Sequence, residues 1–186
     1  MITLNQTEQT LPVKSLMGTY PIDQGVTSLK SSTQSSAKAL AKNSALRFLA
    51  RRDHSRREIY QKLIKKGIQS GCIEEVLDDL KKSGYQNDER FAEQYIQSRV
   101  NAGDGPFKIK ISLRAKGICD SLALAVIDKL DIDWFERAKI LRNKRFSDVP
   151  PKNVTETSKQ IRYLKSKGFY QDHIRALVSY TDRDSF

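Results

Sequence analysis

Cysteine and histidine are close to absent, with two of each among 186 residues. Cys72 and Cys119 lie too far apart for a paired metal-ligand spacing, and two cysteines make no disulfide framework. A reducing, cytoplasmic setting follows, with no metal and no bound cofactor expected. Nine glycines and five prolines are too few for a collagen-like or proline-rich chain. No stretch approaches the ~20 apolar residues of a membrane span. The N-terminus shows no basic start followed by an apolar run, so no secretory signal is expected. Neither a Gly-x-x-x-x-Gly-Lys-Ser/Thr phosphate loop nor a dinucleotide glycine fingerprint occurs. His54 stands between Asp53 and Ser55, but Ser55 reads as a helix cap, and sequence neighbours rarely aim both side chains at one reacting atom. His173, after Asp172, reads as another helix start. No catalytic residue is expected, and the chain reads as a binding protein rather than an enzyme.

Positive charge is plentiful. Lys and Arg total 33 against 22 Asp and Glu, a net of +11. Such a balance suits an anionic or acidic partner. The excess is uneven. Residues 44–87 carry a net of +4, residues 88–131 a net of zero, and residues 132–186 a net of +5. Two basic ends flank a balanced centre.

Residues 1–36 hold 17 Ser, Thr, Gln or Asn and no apolar stripe, which predicts a polar flexible extension. From about Ala37 a repeat begins. Leu63-Ile64-Lys65-Lys66-Gly67-Ile68 matches Leu113-Arg114-Ala115-Lys116-Gly117-Ile118 and Leu164-Lys165-Ser166-Lys167-Gly168-Phe169, with the glycines 50 and 51 residues apart. Apolar residues follow each glycine at shared offsets, as in a repeat architecture. Each hexapeptide reads as a helix end. Glycine takes the left-handed position after the helix, and the next residue folds back onto the Leu. The three lysines suit the negative helix end. Gly117→Val is then expected to cost about 1–3 kcal/mol.

Helix starts agree with these stops. Ser55-Arg56-Arg57-Glu58 reads as a capping box, and so does Thr157-Ser158-Lys159-Gln160. Pro106 suits a first helical position. Ser83-Gly84-Tyr85 reads as a further helix end, with Tyr85 over Leu80. Phe107, Ile109, Ile111 and Leu113 alternate as in a strand, yet their register with the other repeats favours helix. Trp134 and Phe135 read as core or inter-repeat packing. The expected fold is all-α, an extended tandem array of three three-helix repeats of about 50 residues. Its boundaries fall at 37–87, 88–131 and 132–186. The helices are expected near 37–52, 55–66, 71–83, 88–101, 106–116, 119–130, 133–145, 153–167 and 171–181.

The segment Leu49-Ala50-Arg51-Arg52-Asp53-His54-Ser55-Arg56-Arg57-Glu58-Ile59-Tyr60-Gln61-Lys62-Leu63 closely resembles the first repeat of the RecX family of bacterial regulatory proteins. So does Gly84-Tyr85-Gln86-Asn87-Asp88-Glu89-Arg90-Phe91-Ala92, followed by Ser98-Arg99, Gly105-Pro106 and the second hexapeptide. Arg162-Tyr163-Leu164 and Lys167-Gly168-Phe169 look like that family's last repeat. The resemblance runs from about Ala45 to Val178 and implies a non-enzymatic regulator of the RecA recombinase. Such proteins bind the RecA–DNA filament along its groove, block its extension and lower RecA's activities in DNA repair and recombination.

The charge pattern places the expected partner contacts at the two basic ends, on Arg52, Arg56 and Arg57 and on Arg142, Lys144 and Arg162. Direct, non-specific contact with single- or double-stranded DNA is the alternative, with Tyr60 and Tyr163 in support. The chain is expected to act as a monomer, with no membrane partner.

Overall fold

The structure, a computed structural model, describes residues 25–178. Among these residues it contains nine α-helices and no strand. They are α1 (Gly25–Leu49), α2 (Arg56–Ile64), α3 (Ser70–Lys82), α4 (Asp88–Asn101), α5 (Pro106–Ala115), α6 (Asp120–Lys129), α7 (Trp134–Phe146), α8 (Val154–Lys167) and α9 (Gln171–Leu177). The expected all-α array of three-helix repeats is what the chain forms.

The first helix starts earlier than expected. Helix α1 begins at Gly25, so residues 25–36 are helical. That stretch carries no apolar stripe, which is why periodicity missed it. The rest of the expected extension, residues 1–24, lies outside the described residues.

Each group of three helices encloses its own core. Ile59, Leu63, Ile73, Val76, Leu77 and Leu80 centre the first, closed by Ala41 and Ala45 of α1. Phe91, Ile96, Ile109, Leu113 and Val126 centre the second, and Ala138, Leu164, Phe169 and Ile174 the third. Burying a side chain of this size stabilises by roughly 1.5–3 kcal/mol. Trp134 packs against the second and third cores alike, the inter-repeat packing expected of it. Phe135 is exposed instead. In α5, Ile109 and Leu113 face the core while Phe107 and Ile111 face solvent. Two apolar faces on one helix produced the strand-like alternation.

The three hexapeptides end their helices as expected. Ile68 N–H donates to the Leu63 carbonyl at 3.3 Å, Ile118 to Leu113 at 3.1 Å and Phe169 to Leu164 at 3.2 Å. Gly67, Gly117 and Gly168 have φ of 78°, 86° and 88°, the left-handed conformation of this motif. Two other caps differ from expectation. Gln86, not Tyr85, folds back to the Leu80 carbonyl at 3.1 Å, and Tyr85 is exposed. Helix α8 is capped by Asn153, whose side chain accepts from Glu156 N–H, and Thr157–Gln160 lies inside the helix.

The units join end to end through their second helices. At the first joint the C-terminal turn of α5 meets the N-terminal turn of α2. The Ser55 hydroxyl donates to the Lys116 carbonyl at 2.7 Å, and the Lys116 ammonium reaches Glu58 at 2.6 Å. Asp88 accepts from Arg56 N–H at 2.9 Å. At the second joint the C-terminal turn of α8 meets the N-terminal turn of α5. Gly105 N–H donates to the Lys167 carbonyl at 2.7 Å and Phe107 N–H to the Gly168 carbonyl at 3.0 Å. Helix ends leave polar backbone groups that must find partners, and here one unit's end satisfies the next unit's start. The approach is close. A Cβ on Gly117 would lie 2.7 Å from Arg57 Cβ, and one on Gly168 would lie 2.7 Å from the Lys108 backbone nitrogen.

Candidate partner-binding surface

The first joint gathers most of the charged groups around α2. Glu58, in the third position of the helix, is their hub. His54 Nδ1 lies 2.9 Å from it, Arg52 3.1 Å and Lys116 2.6 Å. Burial alone would raise the Glu58 pKa, but hydrogen bonds from Lys116 and His54 and the charges of Lys116 and Arg52 hold it down to about 2. Burial lowers the His54 pKa, and the Arg52 and Lys62 charges add to that against the Glu58 hydrogen bond. Asp53 turns away to Arg90 at 2.8 Å, and Ser55 spends its proton on the Lys116 carbonyl. The Asp53-His54-Ser55 run is therefore structural, as the helix-start reading expected.

This hub predicts acid lability. The unfolded chain protonates Glu58 at its ordinary value near 4.5 and the folded chain at about 2. Stability from Glu58 is thus complete above 4.5 and is lost as pH falls toward 2. His54 acts in the same direction from a higher pH. Its depressed pKa favours the folded state above its ordinary value of 6.5, and that advantage shrinks as pH falls below it. The melting midpoint should fall on acidification from neutrality, and Glu58→Gln should flatten the lower part of that curve. An unchanged slope in the variant would exclude Glu58 as the source.

The six expected contact residues divide. Arg52 and Arg57 are exposed beside the first joint, where the Arg57 stem lies over Gly117. Arg56 is committed to Glu74 and Asp78 across the first unit. Lys144 and Arg162 are exposed on α7 and α8. Arg142 is not available. It is 5% exposed and donates to Gln160 at 2.9 Å, Asn143 at 2.9 Å and the Val149 carbonyl at 2.8 Å. Its place among buried polar groups makes it a brace of the third unit, unlike the other expected contact residues. Tyr60 and Tyr163 likewise pack against the first and third cores.

Sequence reasoning missed the groove between the first two units. Arg52, Phe91, Gln94, Tyr95, Ser98 and Lys116 line about 310 Å³ of it, and the Lys116 ammonium stands 5.2 Å from the Tyr95 ring centre. Lys116 read only as a helix-end lysine because its partners lie in the preceding unit. The signal available was Glu58 at the third helical position, a carboxylate at the helix start that a cation of another unit can join. Among the described residues, no group of His, Cys, Asp and Glu is arranged to hold a metal ion. No described helix is long and apolar enough to cross a membrane.

Fold and surface together define a tandem helical-repeat protein with basic, polar joints. Residues 41–80, 87–127 and 131–178 match the first, second and third three-helix domains of RecX in turn. Regulatory protein RecX of Halorhodospira halophila is 36% identical over 148 residues, which cover 80% of this chain and 92% of that one. The protein of that name from Vibrio parahaemolyticus is 32% identical over 144 residues, 77% of this chain and 93% of its own. The crystal structure of RecX from Lactobacillus salivarius superposes with a TM-score of 0.68 at 28% identity, covering 77% of this chain and 95% of that chain. The chain belongs to the RecX family, and its class is that of a regulatory protein.

Proposed function

We propose that the protein binds the RecA–DNA filament along its groove, blocks its extension and so inhibits RecA in DNA repair and recombination. The observation that carries this is the RecX match through all three domains, in order, over an uninterrupted array. The array supplies a mechanism. Exposed Arg52 and Arg57 sit on the first unit, Lys144 and Arg162 on the third, and the joints hold the two groups apart. Two linked weak sites gain from high effective concentration. The protein acts as a cytoplasmic monomer in this reading.

ATP hydrolysis by RecA on single-stranded DNA should fall when the protein is added in substoichiometric amounts. Arg57→Glu or Lys144→Glu with Arg162→Glu should weaken the inhibition without lowering the melting midpoint, and added salt should do the same. Full inhibition by both charge-reversed proteins would defeat the bridging mechanism. Direct DNA binding is a second reading, favoured by the net charge of +11 and the groove of Arg52, Tyr95 and Lys116. Inhibition that follows only competition for bare DNA, with a steep salt slope, would select it.

A further inference from the structure

Phe107 and Ile111 are 53% and 54% exposed, one turn apart on α5, and neither belongs to the core of its own unit. The repeats themselves provide the comparison. Counting back from the three helix-end glycines, their equivalents are Arg57 and Gln61 in the first unit and Ser158 and Arg162 in the third. Two units thus build the same helix with polar residues there. Only the middle unit exposes a pair of large apolar side chains at these positions. Tyr170 of the third unit, 43% exposed, lies across the second joint with its ring 6.2 Å from that of Phe107. The joint fixes that neighbour in place through the Phe107–Gly168 and Gly105–Lys167 hydrogen bonds.

Cations border the pair. Helix α5 contains Lys108, Lys110 and Arg114 and no acidic residue, although Lys108 pairs with Asp104 at 2.8 Å and the exposed Arg114 with Asp120 at 3.3 Å. Lys110 and Arg114 border Phe107 and Ile111 at helical spacing. An aromatic and aliphatic centre with a cationic rim has the composition of an interaction hot spot.

We propose that Phe107, Ile111 and Tyr170 form a docking surface for a protein partner that offers an apolar side chain flanked by carboxylates. Resting on the filament reading above, this assigns the surface to the protein component of the filament and not to its DNA. The middle unit then makes a contact of its own rather than merely spanning two basic ends.

The test compares wild type, Phe107→Ser with Ile111→Ser, and a control, Leu124→Ser, an exposed residue of α6. Inhibition of RecA ATPase, affinity for bare single-stranded DNA, sedimentation and thermal melting are measured for each. The serine pair should raise the half-inhibitory concentration about tenfold or more, with DNA affinity unchanged and the fold retained, and the control should match wild type. Lys110→Glu with Arg114→Glu, which removes no apolar side chain, should weaken inhibition too. Equal inhibition by wild type and the serine pair overturns the proposal while leaving the filament reading intact. Loss of DNA affinity in step with inhibition makes the surface a nucleic-acid contact and overturns it as well. Self-association abolished by the serine pair would name a second copy as the occupant. Stronger inhibition on deletion of residues 179–186 would name the chain's own C-terminus. Either result overturns the assignment. A wild-type protein without effect on RecA removes both readings.

Discussion

Gly117→Val is expected to destabilise the protein by about 3 kcal/mol, distinctly more than Gly67→Val at the equivalent turn of the first unit. Both glycines have positive φ, 86° and 78°, so both substitutions carry the left-handed strain of about 1–3 kcal/mol. At Gly67 an added Cβ meets no heavy atom within 4 Å beyond its chain neighbours, so backbone strain dominates its cost. At Gly117 the new Cβ also meets Arg57 Cβ at 2.7 Å and Cδ at 2.9 Å. Relief requires the second unit to retreat from the first, which takes the Lys116 carbonyl from Ser55 and the ammonium from Glu58. Overpacking of this kind adds roughly 1–3 kcal/mol. Gly105→Ala separates the two causes. Gly105 has no positive φ, yet its Cβ would press on the Gly168 carbonyl at the second joint. Denaturant melts of the three variants decide the matter. Equal losses at Gly117 and Gly67, with none at Gly105, would mean that the joints add nothing.

Arg142→Leu should cost about 3 kcal/mol and melt the third unit first. The guanidinium bridges the Gln160 side chain, the Asn143 side chain and the Val149 carbonyl in a nearly solvent-free place. Removing it strands the buried Gln160 oxygen, at about 1–3 kcal/mol, and releases the Asn143 and Val149 oxygens it holds at the edge of the unit. Lys144→Ala, two residues along and exposed, should stay within about 0.5 kcal/mol of wild type. Melting followed by the single tryptophan, Trp134, between the second and third cores reports the loss. A normal melting curve for Arg142→Leu would refute its role as a brace.

These two cases mark where sequence reasoning worked and where it stopped. The helix end at Gly117 was legible because it is local. Six consecutive residues specify it, and the same six-residue pattern recurs twice more. Its contact with Arg57 was not legible, since that depends on how two units meet. The burial of Arg142 was illegible for a related reason. A net charge counted over residues 132–186 cannot tell an arginine braced by Gln160 from one in solvent such as Arg162. The strand-like Phe107–Leu113 alternation mixed two signals, a core face and a solvent face, and only the fold separates them. Helix α1 extends back to Gly25 through Ser- and Thr-rich sequence, where no apolar period exists to be read.

The end-to-end joints turn helix length into a dimension of the assembly. From Ser55 to Gly67 and from Gly105 to Gly117 the chain advances twelve residues, against fifteen from Asn153 to Gly168. Helix α5 is docked at both ends and works as a spacer. One added residue would swing its far end by about 100° and push it on by about 1.5 Å, taking Lys116 away from Ser55. The N-terminus of α8 meets no further unit among the described residues, and that helix carries the extra turn. Changes of length are therefore tolerated at the open ends of the rod and forbidden at its middle, so the distance between its outer units is set by backbone count and is indifferent to most changes of surface side chain.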